Sequence, residues 1–397
     1  MSSATGSPPA PPRRTSMRDV FVIGTGQSDF GKTPERSAAQ MGRQAAVEAI
    51  RDAGLRPRDL QTVFSSRVFD AMVTSQTIMK DLGVARIEMV NVDNACAGGS
   101  TAVRSLYKDI AAGFVDVGIA IGVESMTTSP VAGRLIPPDK DDLDGQLGLT
   151  MPVLFGLQAR RLMETHGARR EDFARVSVKA HDFGALNPRA QYRKRFTIDE
   201  VLGSRMIADP ITLLQCCPNT DGAAAVVLAS AEVARAHAQM PIRIAGSALV
   251  SGQQDFLRED ITSMDAGARA AAAAYEQAGV APSDVDVVEL HDAFASEEIV
   301  HYEDLGLCDR GDGVGLLRSG ATSLGGRIPV NPSGGLLSLG HPLAASGVRT
   351  ICDITNQLRG RSGDVQVPGA RVGVAQMLGG VVNGMDVAAA SVHVLTR

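Results

Sequence analysis

Three residues of this chain have types that do covalent or proton-transfer chemistry and sit where loops run into helices. They are Cys96 in DNACAGGSTAV, His291 in VVELHDAFASEE and His341 in NPSGGLLSLGHPLAASG. Cys96 follows an apolar run and precedes a helical pattern. A thiol at a helix N-terminus sees the positive end of the dipole and free backbone N–H groups, and both favour the nucleophilic thiolate. Ala97, Gly98 and Gly99 let a substrate approach the backbone. A buried structural cysteine at a tight turn accounts for the same letters equally well. His341 stands between a glycine-rich stretch and Pro342, which starts a helix. A histidine there serves as general base or as an N–H donor to an oxyanion, although a lone histidine before proline is more often structural. His291 and Asp292 open the end of a buried strand. That suits an active-site rim, and it also suits a plain capping segment. The Gly379–Gly380 pair after a buried strand is either a simple turn or a backbone N–H presented to a substrate oxygen.

These groups need a scaffold to hold them. Apolar β-branched runs at 20–23, 62–68, 89–92 and 117–122 alternate with helical patterns at 38–53 and 101–112. This alternation predicts an α/β sheet with helices on its faces. The second half repeats the plan, with strands at 242–250, 285–290, 371–377 and 387–395 and helices at 266–278 and 347–358. The loop carrying Cys96 leads through a helix to VGIAIG, and the loop carrying His341 leads through a helix to VGVAQM. The two halves therefore read as two copies of one βαβ-rich unit. Between them, residues 125 to about 238 are more polar. They contain Pro137, Pro138, Pro188, Pro210 and Pro218, an acidic DKDDLDG and a basic RAQYRKRF. This stretch reads as an insertion covering an active-site face, with AAAVVLA returning to the first sheet. The expected divisions are a disordered tail over 1–16, a first half over 17–250 with its inserted loop domain at about 125–238, and a second half over 251–397.

Composition narrows the classes. The chain has 397 residues, 44% hydrophobic and 21% charged, with a formal net charge of −5. That is ordinary for a globular protein with a large core. It gives no general electrostatic reason to bind nucleic acid or an anionic membrane. No segment approaches the roughly 18–20 apolar residues of a membrane span. The first sixteen residues, MSSATGSPPAPPRRTS, are rich in Pro and Ser, and the apolar stretch after Arg13 and Arg14 is too short for an export signal. Five cysteines without a CxxC pair resemble no zinc ligand set, so no metal is expected, and a reducing cytosol is the natural compartment.

Taken together, Cys96, HDAF with His291, NPSGGLLSLGHP with His341 and MLGG with Gly379 occur in the chain order of the thiolase superfamily. GVESM and PNTDGAAAVVL add to the match, which runs from about residue 17 to the C-terminus. HDAF resembles the sterol-carrier-protein type of thiolase and its acetyl-CoA acetyltransferase relatives. The resemblance implies an α/β thiolase fold: two pseudo-twofold related halves with mixed five-stranded sheets in a five-layer αβαβα arrangement, plus an inserted loop domain. It implies an acyltransferase of lipid metabolism that makes or breaks a carbon–carbon bond next to a coenzyme A thioester. Cys96 would be acylated, and His341 would take its proton. His291 and His341 would hold the oxygen of a thioester enolate, while the backbone N–H groups of Cys96 and Gly379 form a second oxyanion hole. Coenzyme A thioesters enter as substrates, with no tightly bound cofactor. Arg189 or Arg193 in the basic cluster could meet coenzyme A phosphates, although a solvated helix face is the plainer reading. The resemblance also implies a homodimer or higher assembly and a small OB-fold, zinc-ribbon partner in some relatives.

The sequence departs from the family in one important place. Ordinary thiolases carry a second, proton-moving cysteine near the C-terminus, where this chain has Met377. Some sterol-carrier-type members supply it within HDCF, where this chain has Ala293. The α-proton base is then His341, His291 or missing. Two other readings follow: a thiolase-fold retro-aldolase working with an OB-fold partner, and a non-catalytic subunit of an acyl-CoA complex. Such lyases tend to have lost the thiolase Cys and His, which this chain retains.

Overall fold

The computed structural model describes residues 17–136, 141–254, 260–380 and 387–397. The tail expected to be disordered (1–16) and the prolines Pro137 and Pro138 lie outside the described residues.

The first half runs β1 (Val20–Gln27), α1 (Ala38–Asp52), β2 (Thr62–Ser66), α2 (Thr74–Met79), β3 (Glu88–Val92), α3 (Gly98–Ala112) and β4 (Val117–Ser125). The insertion holds α4 (Leu143–Gln146), α5 (Met151–Thr165), α6 (Arg170–Gly184), α7 (Ile198–Leu202) and a short hairpin of β5 (Met206–Ala208) and β6 (Ile211–Thr212). β7 (Asp221–Ser230) returns to the first sheet, and α8 (Ala231–His237) follows it. The second half runs β8 (Ile242–Val250), α9 (Asp265–Ala278), β9 (Val287–Glu289), α10 (Ala295–Asp304), α11 (Gly313–Arg318), α12 (Leu343–Arg359), β10 (Val372–Gly379) and β11 (Ala389–Thr396).

Local chemistry sets these boundaries. Ser37 caps α1 by accepting from the Gln40 N–H, and the Gln40 side chain accepts from the Ser37 N–H in return. Strands β4 and β7 are buried along their whole length, because helices or neighbouring strands cover both faces.

The strand order is β3-β2-β4-β7-β1-β8-β11-β10-β9. In the first half, β2 is parallel to β3 and β4, while β7 is antiparallel to β4 and β1. In the second half, β9 is parallel to β10, and β11 is antiparallel to β10 and β8. The two halves thus share one order, with β1 matching β8, β2 matching β9, β4 matching β10 and β7 matching β11. The partner matching β3 is reduced to one parallel bridge, Val288 with Val330. Pro329 and Pro332 flank Val330 and lack the N–H groups that a longer ladder would need. The two half-sheets meet at a two-residue corner, Phe21 with Arg243 and Val22 with Ile242.

Helices α3 and α12 pack between the half-sheets, sharing a core of Leu106, Ile110, Val226, Ile244, Ile351 and Ile354. Helix α1 covers the outer face of the first sheet and α9 that of the second. This gives the five layers expected from the sequence. The half-boundary moves, however. β8 pairs with β11 over seven residue pairs and belongs to the second sheet, so the division falls between Ser230 and Ile242 rather than at 250. The insertion ends at Thr220, not near 238, because β7 begins at Asp221.

Candidate active site

Cys96 sits on a short turn between β3 and α3. The Asp93 carboxylate accepts from the Ala95 N–H at 2.9 Å, and Asn94 donates to the Thr101 hydroxyl at 2.9 Å. Ala95 has φ +47°, a left-handed conformation that costs a non-glycine residue energy. The turn thereby aims Cys96 off the first turn of a 15-residue helix. A Cβ on Gly379 would lie 2.1 Å from the Asn94 carbonyl oxygen and 2.5 Å from the Ala97 nitrogen. Only glycine lets the end of β10 lie directly under the Cys96 turn.

His291 leaves the end of β9. Its N–H donates to Gln376 Oε1 at 2.8 Å, and its Nδ1 meets Glu297 Oε1 at 3.1 Å. The second Glu297 oxygen accepts from the Phe294 N–H at 3.0 Å. A carboxylate only accepts, so Nδ1 carries a proton, and Nε2 has no protein partner. Burial opposes charge on His291. The Glu297 carboxylate first, and then the nearby Cys96 sulfur, outweigh it and push its pKa up to about 10.

His341 follows a wide π-type turn over Gly335–Leu339. Its N–H donates to Thr220 Oγ1 at 3.2 Å, and Nδ1 meets Ser346 Oγ at 2.8 Å. The Ser346 hydroxyl gives its own proton to the Pro342 carbonyl at 3.2 Å. Nδ1 of His341 must therefore be the donor, which leaves Nε2 as a bare acceptor without a protein partner. Burial, then the positive charges on His291 and Arg349, hold its pKa well below the ordinary histidine value.

The Cys96 sulfur and one nitrogen of each histidine lie within 4.8 Å of one another. The two rings meet edge to face, with centroids 5.3 Å apart. Both histidines are more than nine-tenths buried. The electrostatics divide the labour between a neutral acceptor at His341 and a cationic donor at His291.

A buried polar layer fixes these loops. Asp292 accepts from the Leu336 N–H at 2.7 Å and so clasps the turn that leads to His341. Fully buried Arg349 pairs with Glu289 at 2.6 Å and Asp353 at 3.0 Å, joining the β9 end to α12. On the other side of Cys96 the surface is apolar. Met126, Val131, Leu343, Val68 and Phe69 form one cluster beside it, and Ala97, Met377, Ala389 and Leu249 another. Met377 is fully buried against the sulfur and moves no proton.

Arg189 is placed differently from the sequence-based expectation. Its guanidinium donates to the Gln27 carbonyl and to Glu48 at 2.7 Å, which ties the insertion to β1 and α1. It is not presented to a phosphate. Arg193 is exposed, Lys194 lies 4.7 Å over the Phe196 ring, and Arg195 pairs with Asp182 at 3.5 Å. Sequence reasoning missed Glu297, Ser346 and Thr220, which hold the two histidines. Glu297 sits six residues after His291 and doubles as the helix-capping carboxylate of α10, the one signal that marks it in the sequence.

The pH dependence of acyl transfer follows from the two histidines. Use of the pair as acceptor and donor requires His341 unprotonated and His291 protonated. The first holds down to below the ordinary histidine range, and the second holds until His291 loses its proton at about 10. The expected kcat/KM profile is flat through neutral pH and falls only on the alkaline side. A profile that instead rises through pH 6–7 would show His341 titrating normally, against this assignment.

A cysteine at a strained strand-to-helix turn, opposed by two histidines at the junction of two like α/β halves, defines a cysteine-dependent group-transfer enzyme of duplicated architecture. Residues 20–232 match the family "Thiolase, N-terminal domain", and residues 247–397 match "Thiolase C-terminal domain-like". The acetyl-CoA acetyltransferase of Methanothermobacter thermautotrophicus is 39% identical over 389 residues, covering 96% of this chain and 100% of that protein. The benzoylsuccinyl-CoA thiolase subunit BbsB of Thauera aromatica is 38% identical over 367 residues, covering 91% of this chain and 95% of that protein. Among solved structures, the Ltp2–ChsH2(DUF35) aldolase superposes with a TM-score of 0.84 at 27% identity, over 96% of this chain and 99% of that one. The chain belongs to the thiolase family. It is an enzyme of the acyltransferase class, acting at the carbon–carbon bond beside a thioester. Among the described residues, no helix is long and apolar enough to cross a membrane.

Proposed function

We propose that this enzyme carries the acyl group on Cys96 and exchanges it between coenzyme A and the α-carbon of a second thioester. The carrying observation is the pairing of Cys96 with a bare acceptor, His341 Nε2, and a cationic donor, His291. His341 takes the Cys96 proton as the sulfur attacks the thioester carbonyl. The oxygen of that carbonyl turns to the backbone N–H groups of Cys96 and Gly379, whose segments are in van der Waals contact. The newly protonated His341 and His291 then both donate to the enolate oxygen of the second thioester. Two oxyanion sites are needed because negative charge builds on two different oxygens.

Coenzyme A thioesters serve as substrates and no tightly bound cofactor is invoked. Of the basic cluster, exposed Arg193 is the member offered to a coenzyme A phosphate. A cytoplasmic setting fits five unpaired cysteines. A homodimer is supported by β3, whose outer edge has no strand partner among the described residues. A second protein beside the acyl channel is supported by the two relatives named as a subunit and as a complex with a DUF35 protein. That second likeness also favours the alternative, a retro-aldolase, but Cys96, His291 and His341 together favour acyl transfer.

The test is intact-protein mass spectrometry after incubation with acetyl-CoA and longer acyl-CoAs. The expected result is one acyl adduct per chain, mapping by peptide to Cys96. No adduct from any donor, with or without a candidate partner, defeats the acyl-enzyme reading.

A further inference from the structure

The reaction proposed above needs a base for the α-proton, and the two histidines are already committed. His341 holds the proton it took from Cys96, and His291 is a cation with nothing to accept into. A third group is close by. Cys217 donates its N–H to the Ala293 carbonyl at 2.8 Å, and Cys216 bridges Phe294, so this segment is laced to the loop just after His291. Three residues on, Thr220 Oγ1 accepts from the His341 N–H at 3.2 Å. The segment 216–220 therefore touches both histidine loops, and Cys217, a half-buried thiol packed against the second-half core, is near enough for the charges of Cys96, Glu297 and Asp292 to act on it. The unpartnered Nε2 atoms of His291 and His341, each on a side chain more than nine-tenths buried, mark the same place as built to receive a polar ligand.

We propose that Cys217 is the acid and base that moves the α-proton in this enzyme, resting on the Cys96 acyl-carrier reading. Burial first, then Cys216, Cys96, Glu297 and Asp292, raise the Cys217 thiol well above the ordinary range, so it begins protonated. The steps balance as follows. Cys96 attacks the first thioester, its proton passes to His341, and the carbon–sulfur bond to coenzyme A breaks. The departing coenzyme A thiolate takes the Cys217 proton. The Cys217 thiolate then removes a proton from the α-carbon of the second thioester, whose enolate oxygen the two histidines hold. The enolate carbon bonds to the acyl carbon, the bond to Cys96 breaks, and His341 returns the proton to Cys96. Met377, buried against Cys96, could not take this part.

The test is deuterium uptake at the α-carbon of acetyl-CoA in heavy water, read by mass spectrometry beside Cys96 labelling of the same samples. Cys217→Ala is expected to label at Cys96 to the same end-point while α-exchange falls by about 10²-fold or more. Cys216→Ala, one residue away, should keep wild-type exchange. Ala293 is the direct backbone partner of Cys217, so Ala293→Cys added to Cys217→Ala should restore part of the exchange. Wild-type exchange in Cys217→Ala with Cys96 still labelled overturns this proposal and leaves the acyl-carrier reading standing. Loss of both labelling and exchange in Cys217→Ala and in the conservative Cys217→Ser also overturns it, because the coenzyme A thiolate can take its proton from water once it has left, so the end-point of Cys96 acylation does not depend on Cys217. No Cys96 label in the wild type overturns both readings.

Discussion

Replacing Cys96 by alanine is expected to lower acyl-transfer turnover on the order of 10⁶-fold, the scale seen when a covalent nucleophile is deleted, and to leave no acyl adduct. No neighbour can take over. Burial keeps the Cys217 thiol protonated until a coenzyme A thiolate released by Cys96 takes its proton, and Met377 has no proton to lose. The fold should survive the change. Cys96 packs at the edge of the small cluster of Ala97, Met377 and Ala389, so loss of its sulfur costs about 1 kcal/mol and shifts the melting temperature by a few degrees at most. Steady-state kinetics, intact mass and a thermal melt on the same preparation separate these effects. A well-folded Cys96→Ala protein that keeps even a few per cent of wild-type turnover would return the retro-aldolase reading to first place, since a retro-aldol cleavage needs no acyl-sulfur bond.

Much of the fold was legible because it is written twice. The strands VGIAIG and VGVAQM became β4 and β10, which hold matching places in the two half-sheets. The loops bearing Cys96 and His341 follow the matching places of β3 and Val330, so a pseudo-twofold relation brings them face to face. What stayed illegible was which sheet claims a given strand. The run at 242–250 reads equally well at the end of one half or the start of the next. It touches β1 at two residues and β11 at seven, and hydrophobic pattern alone carries no information about partner choice. The reduced fifth strand at Val330 was open to a stricter reading, since prolines on both sides limit the ladder.

The site was legible at its reacting atoms and illegible at their supports. Cys96, His291, His341 and Gly379 stand in recognisable strings. Glu297, Ser346 and Thr220 are common residues in helical or loop contexts, and only the folded chain shows them bonded to a catalytic histidine. Arg189 shows the opposite error. A basic cluster looked available for phosphate, yet one member is bound to Glu48, 141 residues away in the chain. Long-range ion pairs leave no local trace in sequence, so a cluster of charges is a weak guide to a free one.

Those supports explain why His341→Ala should be the next most damaging change. The loss expected is about 10²–10⁴-fold in kcat/KM, the usual value of a positioned general base. Its pH dependence should change with it. In the wild type, Ser346 and Pro342 keep the Nδ1 proton in place and leave Nε2 bare, so the rate is level through neutral pH. Without that acceptor, attack waits on free ionisation of a thiol, and the rate should climb through the range near about 8.5 where unassisted thiols ionise. Ser346→Ala tests the same chain of reasoning one atom further out. It frees the tautomer of His341 without removing the ring, so its loss should be smaller and its profile should lie between the two. His291→Gln, by contrast, removes an oxyanion donor and not a base. It should cost roughly 10²–10³-fold and abolish the alkaline fall of the profile, because the group that loses its proton at about 10 is then gone. A His341→Ala protein with a wild-type pH profile would mean that some other group takes the Cys96 proton, and the division of labour between the two histidines would have to be reversed.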